Sequence, residues 1–186
     1  VVLLGIVFEA VGGFFAKLLK HTKGWLAQKI ADPYRRIFVV GVLLSIAMFA
    51  LHTGRYSGLG TNLISASFDE GTIYGYDWVL KLVLTIVTLA AGFQGGEVTP
   101  LFSIGASLGY WLAPVFGLPP EFVAALGYAS VFASATNTFI APVFIGVEVF
   151  GYDTLPYFFA IVSVAYVFNS GYSIYAQEKA KSDYLQ

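Results

Sequence analysis

The sequence predicts an all-α protein that crosses a membrane several times, built from short, tilted and broken helices. Three observations carry this. Of 186 residues, 58% are hydrophobic and only 11% are charged, whereas soluble domains usually carry about 25% charged residues. Mean hydropathy is +0.76. The apolar residues fall in continuous runs, several of them short and interrupted by glycine or proline. Such interruptions at membrane depth mark chains whose irregular backbone lines a cavity, as in transporters. The plainer alternative is a helical bundle with ordinary kinks.

The first run, Val1 to about Leu19, is helical by length and ends among Lys17, Lys20 and Lys23. A polar stretch, HTKGWLAQKIADPYRR, follows. Ile37–Leu51 is the next run, short for a full crossing. HTGRYSGLGTNLISASFDEGTIYGYD is a glycine- and serine-rich connection in which Asn62–Ser67 could open a small helix. Asp77–Ala91 is apolar again, and GFQGGEVTP breaks it. Leu101–Phe116 is a short helix stopped by GLPP. Val123–Phe150 is long but interrupted by SATNT and Pro142. Leu155–Phe168 is the last run, followed by NSGYS and a charged amphipathic tail, IYAQEKAKSDYLQ. The chain opens on Val1 without an initiator methionine or a basic leader, so it reads as a portion of a longer protein.

Six of the ten basic residues lie between Lys17 and Arg36, and Lys179 and Lys181 lie in the tail. The positive-inside rule then places the 20–36 loop and the C-terminus in the cytoplasm. Net charge is −1, which gives no reason to expect nucleic acid. With no cysteine, disulfides, thiolate metal sites and cysteine catalysis are excluded. His21 and His52 have no second ligand at metal spacing, so neither a metal nor a cofactor is expected.

The chemistry concentrates in GFQGGEVTP. Thr99-Pro100 ahead of an apolar run reads as N-cap and first helical residue. The backbone amides of Gly96, Glu97, Val98 and Thr99 then sit at the positive end of a helix within the membrane, a setting that favours an anion. A carboxylate there is costly when charged, and a neighbouring anion would disfavour its charge further. Protonation of Glu97 and anion occupancy would therefore be linked. The competing readings are an unliganded interhelical turn and a water-facing glutamate.

These residues resemble a family. GFQGGEVTPLFSIGASLG is similar to the CLC chloride channel and transporter family, whose motif has the form G-G-x-F-x-P before an apolar helix. SGLGTNLI (Ser57–Ile64), IAPVFIGVEVF (Ile140–Phe150) and FNSGYSIYA (Phe168–Ala176) match further family segments in order. The resemblance implies that the chain is the second of two inverted repeats plus the terminal helix. The first repeat, with its gating glutamate, would lie outside residues 1–186. Tyr175 falls on the tyrosine that faces the central anion. Val98 stands where chloride-type members have phenylalanine, and GGEVTP with ATNT resembles the fluoride/proton-exchanging branch. Thr99 and Tyr175 hydroxyls suit a small, strongly hydrated anion. The resemblance thus implies fluoride and protons as cargo, with chloride as the alternative. It also implies a homodimer in a bacterial plasma membrane, completed by the N-terminal half of the same protein.

Other residues were weighed. Asn137, between Thr136 and Thr138, is a candidate pore-lining residue or interhelical glue. Tyr172 is a second pore-lining candidate, spaced to share a helical face with Tyr175. Glu148 reads as structural and Glu9 as bundle-facing. GYD occurs at Gly75–Asp77 and Gly151–Asp153, which raises intramembrane aspartyl proteolysis. Both aspartates precede apolar runs, where Asp is a favoured N-cap, and the chain has no Gly-x-Gly-Asp, so no enzyme is expected. A passive structural subunit is the remaining alternative, and it needs no polar break at depth.

Overall fold

A computed structural model describes residues 1–69, 71–169 and 171–175. The amphipathic tail, with Lys179 and Lys181, lies outside the described residues. Among those described there are eight α-helices and no strand: α1 (Val2–Lys29), α2 (Pro33–Ala50), α3 (Thr61–Phe68), α4 (Asp77–Ala91), α5 (Val98–Phe116), α6 (Pro120–Thr136), α7 (Ile140–Phe150) and α8 (Leu155–Phe168). Three of them, α1, α2 and α5, are long and apolar enough to cross a membrane.

Two expected boundaries moved. The first helix runs on to Lys29 rather than ending near Leu19, because Lys, Gln and Ala are good helix formers whether or not lipid surrounds them. The second begins at Pro33, where the Asp32 carboxylate accepts from the Tyr34 amide at 2.9 Å. Asp-Pro is a helix start by cap and by fixed φ. The predicted interruption of the 123–150 run is a full break between α6 and α7. Asn137 takes a left-handed conformation (φ 52°, ψ 49°) as the C-cap of α6, a role asparagine tolerates better than most residues. Pro142 falls in the first turn of α7, where its missing N–H is not needed.

The core is the α5–α6 pair. A Cβ on Gly105 would lie 2.1 Å from the Gly127 carbonyl oxygen, and one on Gly127 would lie 2.2 Å from that of Gly105. A Cβ on Gly109 would meet the Val123 oxygen at 2.3 Å. The two backbones therefore touch directly, as small residues four apart allow in membrane helices. Around this pair, α1 crosses α6 at Gly12, whose Cβ would be 2.6 Å from the Val131 oxygen. α3 packs on α5, α7 and α8 flank α6, and α4 bridges α1 and α5. α2 leans mainly on α4 and buries Val40 and Leu44 alone.

Candidate functional site

GFQGGEVTP links α4 to α5. Ala91 ends α4, Gly92 turns in a left-handed conformation (φ 102°), and the Arg36 guanidinium donates to the Ala91 carbonyl at 3.0 Å. A cation at a helix C-terminus is favourably placed against the dipole. Residues 93–96 then have no regular secondary structure. The next helix begins at Val98 with Glu97 as its N-cap, and the Glu97 carboxylate caps none of its amides. The expected start at Thr99 or Pro100 is thus late by one or two residues, and Thr99 lies inside the first turn. The physical reason is that proline is tolerated anywhere in that turn, since the first amides have no helical partner. Leu101 is the first to donate back, to the Glu97 carbonyl at 3.2 Å.

Gly96 is exposed and Glu97, Val98 and Thr99 are half-buried. The Tyr175 side chain arrives from the other end of the chain. Its phenol lies near the Glu97 carboxylate. A cavity of about 260 Å³ opens beside Tyr175, lined also by Ser173, Ile174 and by Lys20 and Lys23 of α1. Anions approach such a mouth favourably.

The segment carrying Tyr175 is anchored to the C-terminal carbonyls of α6, which a helix leaves unpaired. The Asn169 amide donates to the Ser134 oxygen at 2.6 Å. The Ile174 amide donates to the Ala135 oxygen at 2.9 Å. The Ser173 hydroxyl donates to the Thr136 oxygen at 2.9 Å. The Asn169 carbonyl oxygen in turn accepts from the Gly171 and Tyr172 amides. Residues 171–175 are not helical, so Tyr172 and Tyr175 share no helical face, contrary to expectation. The polar side chains of this segment spend their bonds on α6 instead. Tyr172 lies 5.6 Å from the Lys17 ammonium, ring under cation.

The other candidates fall apart spatially. Thr136 and Thr138 share a 2.6 Å hydroxyl contact beside Asn137. Glu148 is exposed on α7. Glu9 is half-buried, with its carbonyl accepting from Ser134. His52 bonds the Tyr76 hydroxyl at 3.0 Å. The two aspartates are not helix caps. Asp153 sits in a 3-10 turn before α8. Asp77 is fully buried and accepts from Arg55 at 2.6 Å, the Tyr56 hydroxyl at 2.6 Å and the Tyr74 amide at 2.8 Å. The Asp77 hydrogen bond raises Arg55 further above its usual range, and burial, then Asp77, raises Tyr56. Asp77 is thereby the anchor of the 55–77 connection.

Sequence reasoning passed over Lys81, which read as part of an apolar run. It is 1% exposed and donates to the Tyr56 and Gly58 carbonyls at 3.1 and 2.7 Å. A lone cation inside WVLKLVLT was the available signal.

Comparison with known proteins matches residues 1–170 to the family described as voltage gated chloride channel. A chloride/fluoride channel protein of Pseudomonas syringae pv. tomato is 38% identical over 179 residues, covering 93% of this chain and 39% of that protein. An H(+)/Cl(-) exchange transporter of Yersinia pestis is 26% identical over 148 residues, covering 73% of this chain and 31% of the relative. The crystal structure of a CLC-type fluoride/proton antiporter superposes with a TM-score of 0.92 at 56% identity, over 94% of this chain and 44% of that one. The chain therefore spans less than half the length of these relatives.

Proposed function

On the premise that this chain belongs to the voltage gated chloride channel family, which its match over residues 1–170 establishes, we propose that it is the C-terminal half of a fluoride/proton antiporter. Family and apolar helices together make it an integral membrane protein. The family members it matches carry ions rather than transform substrates, and the chain is read as a transporter, not an enzyme. The observation that carries the proposal is the meeting of Tyr175 with Glu97 at the N-terminus of α5. It joins a hydroxyl donor, free backbone amides and an ionisable carboxylate at one point, which is what coupling an anion to a proton requires.

Fluoride is preferred over chloride as cargo. The likeness to the fluoride/proton antiporter is 56% and that to the H(+)/Cl(-) exchanger 26%. Thr99 and Tyr175 add hydroxyl donors that offset the loss of a small anion's hydration. The test is flux from liposomes holding the full-length protein. Fluoride efflux accompanied by proton uptake, with little chloride efflux under the same gradient, is the expected result. Chloride efflux at an equal rate would move the assignment to the chloride branch.

Tyr175→Phe keeps the ring and removes the donor. A hydrogen bond to a charged group is worth about 1.5–3 kcal/mol, so fluoride binding to the full-length variant should weaken about tenfold or more. Isothermal titration measures this, and unchanged affinity would take Tyr175 out of the site.

The proposal extends to export of fluoride from the cytoplasm across a bacterial plasma membrane, supported by the expected cytoplasmic placement of the 20–36 loop and by the bacterial relatives. A homodimer through α7 and α8 is supported by their exposed Phe144, Phe159 and Val167, an apolar surface that another subunit would cover. Light scattering of the full-length protein in detergent should give a particle of two subunits, and a strictly monomeric one would count against the dimer.

A further inference from the structure

A second cavity, of about 220 Å³, lies beside the broken segment that leads into α5. Met48 of α2, Lys81, Thr85 and Thr88 of α4, and Gly95 and Gly96 of the broken segment are among its walls. Most of that wall is apolar. Lys81 is the exception, and its charge is not balanced. Asp77, one turn earlier on α4, is already held by Arg55. Among the described residues no carboxylate pairs with Lys81. Two of the three N–H donors of an ammonium go to the Tyr56 and Gly58 carbonyls, which leaves one. The Ser103 hydroxyl is fully buried with no partner. It converges on the same spot, since a methyl group at Gly60 would lie 2.6 Å from Ser103 Oγ and 2.7 Å from Lys81 Cε.

A buried cation without a counter-ion is costly, and so is a buried hydroxyl without a partner. A ligand would relieve the deficit at Lys81, provided it is negative, small and able to accept hydrogen bonds. We infer that this cavity is a second site for a halide-sized monovalent anion, held by the Lys81 ammonium. Thr85 and the Gly95–Gly96 backbone complete its surroundings, and Ser103 supports Lys81 from behind. The apolar remainder of the wall limits the site to one charge. The inference goes beyond the Tyr175 site and does not depend on it, because the two cavities have no lining residue in common.

The experiment uses the full-length protein in detergent, titrated calorimetrically with sodium fluoride as wild type, Lys81→Met, Tyr175→Phe and the double variant. The expected result is that Lys81→Met loses one class of bound anion and retains the class that Tyr175→Phe weakens, while Lys81→Arg keeps both. The double variant should lose both. Wild-type stoichiometry in a monodisperse Lys81→Met protein would overturn the inference. A Tyr175→Phe protein that titrates as wild type would instead remove the Tyr175 reading and leave this one standing. Should Lys81→Met not fold, bromide diffusion into wild-type crystals decides. An anomalous peak beside Lys81 Nζ supports the site. Its absence, or a carboxylate from the preceding half of the protein paired with Lys81, refutes it.

Discussion

Glu97→Gln in the full-length protein is expected to abolish proton-coupled fluoride transport. Glutamine keeps the shape of the side chain and its capacity for hydrogen bonding, so the packing at the N-terminus of α5 is expected to be preserved. What it removes is ionisation. A charged carboxylate beside an anion repels it, whereas a protonated one donates to it, so anion and proton occupancy favour each other, reciprocally. Without a titrating group that linkage has no carrier. The measurement is fluoride efflux with simultaneous proton uptake in liposomes. Proton uptake should vanish, whether or not uncoupled fluoride flux survives. A wild-type rate and coupling ratio in the variant would reduce Glu97 to a helix-terminal acid without a transport role.

Gly127→Val is expected to prevent folding or nearly so. The Gly127 Cβ position lies 2.2 Å from the Gly105 oxygen, with the Phe8 ring at 3.1 Å on the same side. A side-chain carbon needs about 3.5 Å from its neighbours, so α5 and α6 would have to separate by more than an ångström. Their contact runs through Gly105 and Gly109 as well, and separation at one point opens the whole seam. Overpacking costs typically about 1–3 kcal/mol and sometimes more, and a branched residue against backbone lies at the upper end. Thermal unfolding of the purified full-length variant, followed by size-exclusion, should show a large drop in midpoint or aggregated material. Gly127→Ala should be milder than Gly127→Val. A wild-type midpoint for Gly127→Val would mean that the two helices are not in backbone contact.

The seam was not legible beforehand, although Gly105 and Gly109 stand four apart in plain view. Small residues within an apolar run carry no period of their own, and only the partner helix shows what their absence of side chain permits. Asp77–Ala91 and Leu155–Phe168 were legible to the residue, because turn residues bound each run sharply. The α5 start was legible to within two residues, because a proline marks the first turn without saying which place in it. Asp77 was misread as a cap for a similar reason. Its position before an apolar run is that of a cap, and only the return of Arg55 and Tyr56 across the connection gives it another task. The pairing of Glu97 with Tyr175 came from resemblance rather than from spacing, since nothing local links residues so far apart. Lys81 was missed because one charge barely alters the hydropathy of fifteen residues.

The three bonds from residues 169, 173 and 174 to the end of α6 have a mechanical consequence. Tyr175 is fastened to α6, α6 is keyed to α5 by glycine against backbone, and α5 carries Glu97 at its tip. The two walls of the proposed anion site thus belong to one stiff frame, and little sliding between them is available. If one wall must yield to let an ion pass through this half, the compliant parts are the Glu97 and Tyr175 side chains, swinging on fixed mounts. Any larger excursion would have to come from outside this frame.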